Sequence, residues 1–110
     1  MGARIIDGKG LAERTKRAIA ERAAACAAKG LTPRLDAVIA GTEDTPARVY
    51  ANRQASTCRR LGIEYELHEL AGDCGYEDAS GLIRTLNDDP EVHAIMMHLP
   101  LPSGCDTERV

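Results

Sequence analysis

Three times in 110 residues a helical period gives way to a short apolar strand, and this alternation excludes most folds. Over residues 8–29, Leu11, Ala12, Ile19, Ala23, Cys26 and Ala27 recur on one side of a helix. Gly30 then suits a left-handed C-terminal cap. Residues 35–40 read as a buried strand closed by Gly41. A polar stretch at 42–45 leads to Pro46, well placed in the first turn of a second helix that runs to about Leu61, before Gly62. Ile63, Tyr65 and Leu67 alternate with Glu64, Glu66 and His68, the pattern of a half-buried strand. After a turn at 71–75, Ala79, Leu82, Ile83 and Leu86 mark a third helix, which ends at Pro90. Residues 92–97 form an almost continuous apolar run, as expected of a strand between two covered faces.

Strands separated by helices pair in parallel through right-handed crossovers. The predicted fold is therefore α/β, a three-layer α/β/α sandwich on a small parallel sheet. The length suits one domain, and no internal repeat or linker is visible. The last residues, Asp106 to Val110, can begin a further helix with Asp106 or Thr107 as its cap.

Composition removes several functions. The net charge is -3 with no basic stripe, and the chain has no Trp, no Phe and three Tyr, so nucleic acid is not an expected partner. Cys26, Cys58, Cys74 and Cys105 form no C-x-x-C pair and are not spaced with the histidines as metal ligands, so no metal is expected. Neither a signal-peptide pattern nor a long apolar run occurs, so no membrane partner is expected. Free thiols in a cytoplasmic protein are the simple expectation.

In open α/β sheets, ligands bind beyond the carboxyl ends of the strands. The segments that emerge there are 41–45, 71–75 and 98–104. The second helix starts at the same edge, and Tyr50 and Gln54, four residues apart, share one of its faces with Thr57, Cys58 and Leu61. That face reads as the inward side, where an amide needs partners or lines a cleft. Taken singly, Gln54 can equally be a surface glutamine, Tyr50 a packing residue and His98 a strand-end histidine bonded to backbone. The Leu99-Pro100-Leu101-Pro102 run restricts φ and lacks two donors, giving a stiff rim. Tyr50, Gln54 and the segment from His98 to Pro102 thus compose one candidate cleft.

The segment Ala94-Ile-Met-Met-His-Leu-Pro-Leu-Pro102 resembles the Gly-Ile-Leu-Val-Gln-Leu-Pro-Leu-Pro signature of the methylenetetrahydrofolate dehydrogenase/methenyltetrahydrofolate cyclohydrolase family. Tyr50 through Cys58 to Gly62 is similar to that family's Tyr-x-x-x-Lys-x-Lys-Ala-Cys-x-x-x-Gly helix. Ile5-Ile6-Asp7-Gly8-Lys9 with Ala12, and Leu86-Asn87-Asp88-Asp89, are similar to two further stretches. The resemblance spans all 110 residues but only the N-terminal part of the family's chain. It implies a folate-binding domain, residues 1–110, cut before a downstream Rossmann domain that carries NAD(P). No cofactor is then expected within this chain, which also lacks a Gly-x-Gly-x-x-Gly phosphate loop.

The same resemblance assigns roles. Tyr50 packs on the folate ring, Leu99, Pro100 and Pro102 border the substrate, and positions 54 and 98 are catalytic, held in the family by Lys and Gln. Here they are Gln54 and His98. The loop at 41–49 is also one residue longer, and Ala47 stands where Ser is common. An amide neither gives nor takes a proton near neutral pH, whereas a histidine titrates there. The implied function is interconversion of tetrahydrofolate one-carbon derivatives, with the cyclohydrolase step impaired and the isolated 110 residues inactive. His98 taking over proton transfer is the competing account, and a non-catalytic folate- or partner-binding module is the alternative class. A flavodoxin- or receiver-like domain is disfavoured, since the first strand ends in Ala40-Gly41 and not in paired acids. The family's chain returns a final helix to this domain, so a chain ending at Val110 is expected to expose apolar surface and to self-associate, as a homodimer or otherwise. A monodisperse monomer in concentrated sedimentation runs would overturn that expectation.

Overall fold

Two helices end where the sequence supplies a glycine able to take positive φ. Gly62 (φ 83°) caps the second helix, its N–H reaching the carbonyls of Arg59 and Cys58, and Gly30 (φ 81°) follows the first. The start of the second helix is equally local: the Thr45 hydroxyl accepts from the Arg48 N–H at 3.3 Å, and Pro46 fills the first turn. The computed structural model describes residues 2–41 and 43–110. Its elements run α1 (Gly8–Ala28), β1 (Arg34–Ala40), α2 (Pro46–Leu61), β2 (Glu64–Leu70), α3 (Tyr76–Asp88) and β3 (Ala94–Met97). Of the polar loop expected at 42–45, Thr42 lies outside the described residues.

The sheet has the order β2-β1-β3, with both pairings parallel. Alternation along the strands then separates two faces. Tyr65 on β2 and Met96 on β3 face α2, whereas Ala40 and Leu70 pack with Ala79 of α3. The fold is the expected α/β arrangement of three helices on a small parallel sheet. Ala51, Ala55 and Cys58 form the buried ridge of α2, and their small size lets the helix sit close to β1 and β2.

Two expectations need correction. The run at 92–97 is a strand only from Ala94, because Val92 closes a turn onto the Asp89 carbonyl. Its residues are exposed or half-buried, since β3 is an edge strand and not one enclosed on both faces. The apolar stripe of α1 is also mostly outward. Only Ala23 is buried, and Leu11 and Ile19 remain exposed, because α1 rests on α2 and not on the sheet. The radius of gyration, 16.8 Å, exceeds the roughly 13 Å usual for this length, in keeping with an exposed N-terminal stretch and an α1 that lies on α2 outside the sheet's own layers. Asp106 does begin one turn: its carboxylate accepts from the Glu108 N–H at 3.1 Å, and its carbonyl from Arg109 and Val110.

On the α3 side of β1, Asp36 is fully buried yet charged. The Arg34 guanidinium donates to both of its oxygens, to Oδ1 at 2.8 Å and to Oδ2 at 3.1 Å, and His68 Nε2 lies 2.7 Å from Oδ2. Burial alone would raise this carboxyl, but the hydrogen bonds from Arg34 and His68 outweigh it and hold it below the usual carboxylate range. A depressed carboxyl stabilises the fold above about pH 4, and that contribution is lost as the pH falls through its folded value. Asp36→Asn is expected to cost about 2–4 kcal/mol in denaturant unfolding at pH 7, by leaving the half-buried Arg34 only the 3.8 Å contact with exposed Glu91. The variant should also lose less stability than the parent between pH 5 and pH 3.

Candidate functional site

The site is built at the carboxyl edge of the sheet, where α2 starts. Arg48, in the first turn of α2, donates to Glu69 on β2 and to the carbonyl of Gly41, both at 2.8 Å. One side chain thus fixes that turn against the ends of two strands. Gly41 and Gly72 bring the loops after β1 and β2 within van der Waals reach of each other. The third loop leaves β3 at His98, whose N–H still pairs with the Val38 carbonyl at 2.8 Å.

Tyr50 and His98 meet edge to face, with ring centroids 5.7 Å apart and planes at 67°. Tyr50 is 55% exposed, on the rim of α2 and not on its inward side as expected. The inward positions are one step around the helix, at Ala51, Ala55 and Cys58. Gln54 sits between rim and ridge, half-buried, with both ends of its amide engaged. Its Oε1 accepts from the Tyr65 hydroxyl at 3.0 Å, and its Nε2 donates to Met96 Sδ at 2.8 Å. The amide is therefore turned towards the sheet and not towards His98.

His98 is 5% exposed, and among the described residues its Nε2, sealed from solvent, has no hydrogen-bond partner. Burial pushes its imidazole below the ordinary value, which favours the neutral ring. Burial foremost, with Cys58 and Tyr50 nearby, pushes the Tyr65 hydroxyl up to about 12, so at neutral pH it is a donor and not a base. The cleft offers a neutral amide, a neutral imidazole and a neutral phenol.

Two depressions flank this cluster. One, of about 310 Å³, is lined by Tyr50, Arg53, Gln54, Thr57 and Cys58. The other, of about 320 Å³, lies between the start of α2 and the rim, with Ala47, Leu99 and Pro100 in its wall. The Leu99–Pro100 peptide is cis. Pro102 lies apart from both, its carbonyl accepting from the Cys105 N–H, and Leu101 packs on the α3 side. Tyr50, Gln54 and His98 thus come together, Leu99 and Pro100 adjoin them, and Pro102 does not. Sequence reasoning missed Tyr65, Met96 and Arg48. The parity of Tyr65 along its strand was legible, but not which helix residue its hydroxyl would meet.

Comparison with known proteins gives a consistent likeness. Residues 6–110 match the family described as tetrahydrofolate dehydrogenase/cyclohydrolase, catalytic domain. The chain is similar to the bifunctional protein FolD of Geotalea uraniireducens, 40% identical over 108 residues and covering 98% of this chain. To that of Nitrosospira multiformis it is 41% identical over 111 residues, covering all of this chain. It spans only 38% of the length of each. Among solved structures it resembles the bifunctional FolD enzyme of Campylobacter jejuni, with a TM-score of 0.87 at 30% identity over 94% of this chain and 36% of that one. It also resembles a 5,10-methylenetetrahydrofolate dehydrogenase from the silkworm Bombyx mori, with a TM-score of 0.88 at 29% identity over 99% and 38%.

The buried ring of His98 is open to direct measurement. Its NMR titration midpoint is expected below about 6.5, the value of a free histidine. A midpoint above that value would mean that the ring is charged by a partner or open to water.

Proposed function

The chain belongs to the tetrahydrofolate dehydrogenase/cyclohydrolase family, and on that footing we propose that its cleft binds a tetrahydrofolate derivative while lacking the proton-transfer group of the cyclohydrolase step. The observation that carries this reading is the state of Gln54. It stands where the family resemblance puts a lysine, and its amide is spent on Tyr65 and Met96. Hydrolysis of a methenyl bridge needs water added to an electron-poor carbon and protons moved between oxygen and nitrogen. An amide can orient such a group but cannot carry the proton.

His98 is the one side chain of the cleft that ordinarily titrates near neutral pH, and its environment argues against it. General acid–base catalysis requires a group within hydrogen-bond reach of the reacting atoms. Here Nε2 is enclosed, and the ring is packed against Tyr50. Binding is better supplied. Tyr50 presents an exposed aromatic face beside an apolar hollow, the geometry that suits a flat heterocycle, and Leu99 and Pro100 give an adjoining wall. We assign these residues to substrate contact and leave the dehydrogenase step with the family's two-domain plan. NAD(P) then belongs on a separate domain, because this sequence has no glycine loop for a pyrophosphate.

Methenyltetrahydrofolate hydrolysis, followed in the protein that carries this domain with its downstream partner domain, is expected to run close to the uncatalysed rate. Gln54→Lys should raise it at least about 100-fold, the usual worth of a placed acid–base group. Robust parental hydrolysis abolished by His98→Ala would sink this reading and assign the proton to His98. Tyr50→Ala is expected to weaken folate binding about 10-fold in a direct titration, through lost ring contact.

A further inference from the structure

On the α3 side of the sheet, away from the cleft, two thiols approach each other from distant parts of the chain. Cys74 lies in the turn between β2 and α3, and Cys105 in the irregular segment that follows the Leu99–Pro102 rim. Their sulfurs are 3.8 Å apart across a separation of 31 residues, and the Cys105 thiol also donates to the Cys74 carbonyl at 3.4 Å. Both are free and buried, in a small cluster with Ala79, Leu70 and Leu101. The remaining cysteines, Cys26 and Cys58, belong to α1 and α2 on the other side of the sheet.

We propose that Cys74 and Cys105 form a thiol–disulfide site, which a low-molecular-weight disulfide oxidises to an internal bridge that tethers the end of the rim to the β2–α3 turn. The geometry asks for little movement. A disulfide holds its sulfurs about 2.0 Å apart, so the pair must close by less than about 2 Å. Cys105 is placed to supply that movement, because residues 98–110 contain no helix or strand and are held by turns. The chemistry balances. One cysteine, as its thiolate, attacks a sulfur of the external disulfide and expels the first reagent thiolate. The second cysteine then attacks the resulting mixed disulfide and expels the other. Two S–H bonds of the protein and one S–S bond of the reagent give one S–S bond in the protein and two reagent thiols, which take up the two electrons and two protons.

The surroundings set the pace. Burial foremost, then the hydrogen bond with Cys105 and the charges of Asp78 and Asp73, push the Cys74 thiol up to about 11. The exchange is therefore slow at neutral pH, and a reducing thiol pool keeps the pair open. The bridge is a response to sustained oxidation and not a structural staple.

The test is to incubate the 110-residue protein with oxidised glutathione at mildly alkaline pH. Titratable thiols should fall from four to two, with a mass lower by two hydrogens. A non-reducing peptide map should join the Cys74 peptide to the Cys105 peptide, and dithiothreitol should reverse the change. Amide exchange across residues 103–110 should slow in the bridged form. Four remaining thiols, a lasting glutathione adduct, a link through Cys26 or Cys58, or a link between chains would each overturn the proposal. So would a bridge that leaves exchange at 103–110 unchanged. Cys105→Ser serves as a control that should form no internal bridge, and the map of the parent protein decides the matter even if that variant folds poorly.

Discussion

Strand β1 must satisfy both of its edges in a sheet of three strands, and its position in the middle governs the rest of the molecule. Its residues from Asp36 to Ile39 are all buried, so neither face can be left to solvent. Parallel neighbours cannot be joined by tight turns, which forces a helix between each pair and places α2 and α3 on opposite faces. The carboxyl ends of β1 and β3 are then locked side by side by the bond from His98 to Val38. The loop after β2 is brought to the same edge by the bond from Gly41 to Leu70. The cleft is what remains between these ends and the first turns of α2.

Charge is handled on the same strand by a different device. Asp36 is the one acid on β1, and it survives burial because Arg34 and His68 surround it on the face away from the cleft. A buried carboxylate without such partners would be too costly to keep ionised. The face towards α2 and the candidate cleft, by contrast, carries neutral groups at its centre. Gln54, Tyr65, Met96 and His98 bring hydrogen-bonding capacity without net charge. The two faces of one small sheet thus handle charge differently: one buries an ionic cluster, and the other sets neutral groups at its centre with the Arg48–Glu69 pair and Arg53 at its margin.

Family membership and the local geometry pull in different directions, and the difference is informative. The backbone follows the solved relatives closely over almost the whole chain. The sequence resemblance departs at the centre of the cleft, where Gln54 and His98 stand at the positions it assigns to a lysine and a glutamine. Gln54 fits its place, because Tyr65 and Met96 supply its amide with partners, whereas Tyr50 covers the His98 ring and its Nε2 finds no partner among the described residues. A fold can keep its binding surface while losing a proton-transfer group, because the two depend on different atoms.

Helix positions, the parallel sheet and the edge that bears the cleft were all legible in the sequence, because they rest on local rules. Apolar period sets element type, Gly30 and Gly62 set helix ends, Pro46 sets a start, and alternating elements set strand direction. Tyr50, Gln54 and His98 could be grouped on the same grounds. What the sequence could not decide was rotation and depth. A shift of one helical position puts Ala51 and Ala55 inward and Tyr50 on the rim, since the small residues pack closer to the sheet than a ring can. The apolar stripe of α1 faces outward, and β3 is an edge strand, because burial depends on which element lies opposite. Gln54 meets Tyr65 across 11 residues, and Cys74 meets Cys105 across 31. Local periodicity fixes which face a side chain shares with its neighbours, but only the packed tertiary structure fixes what it touches.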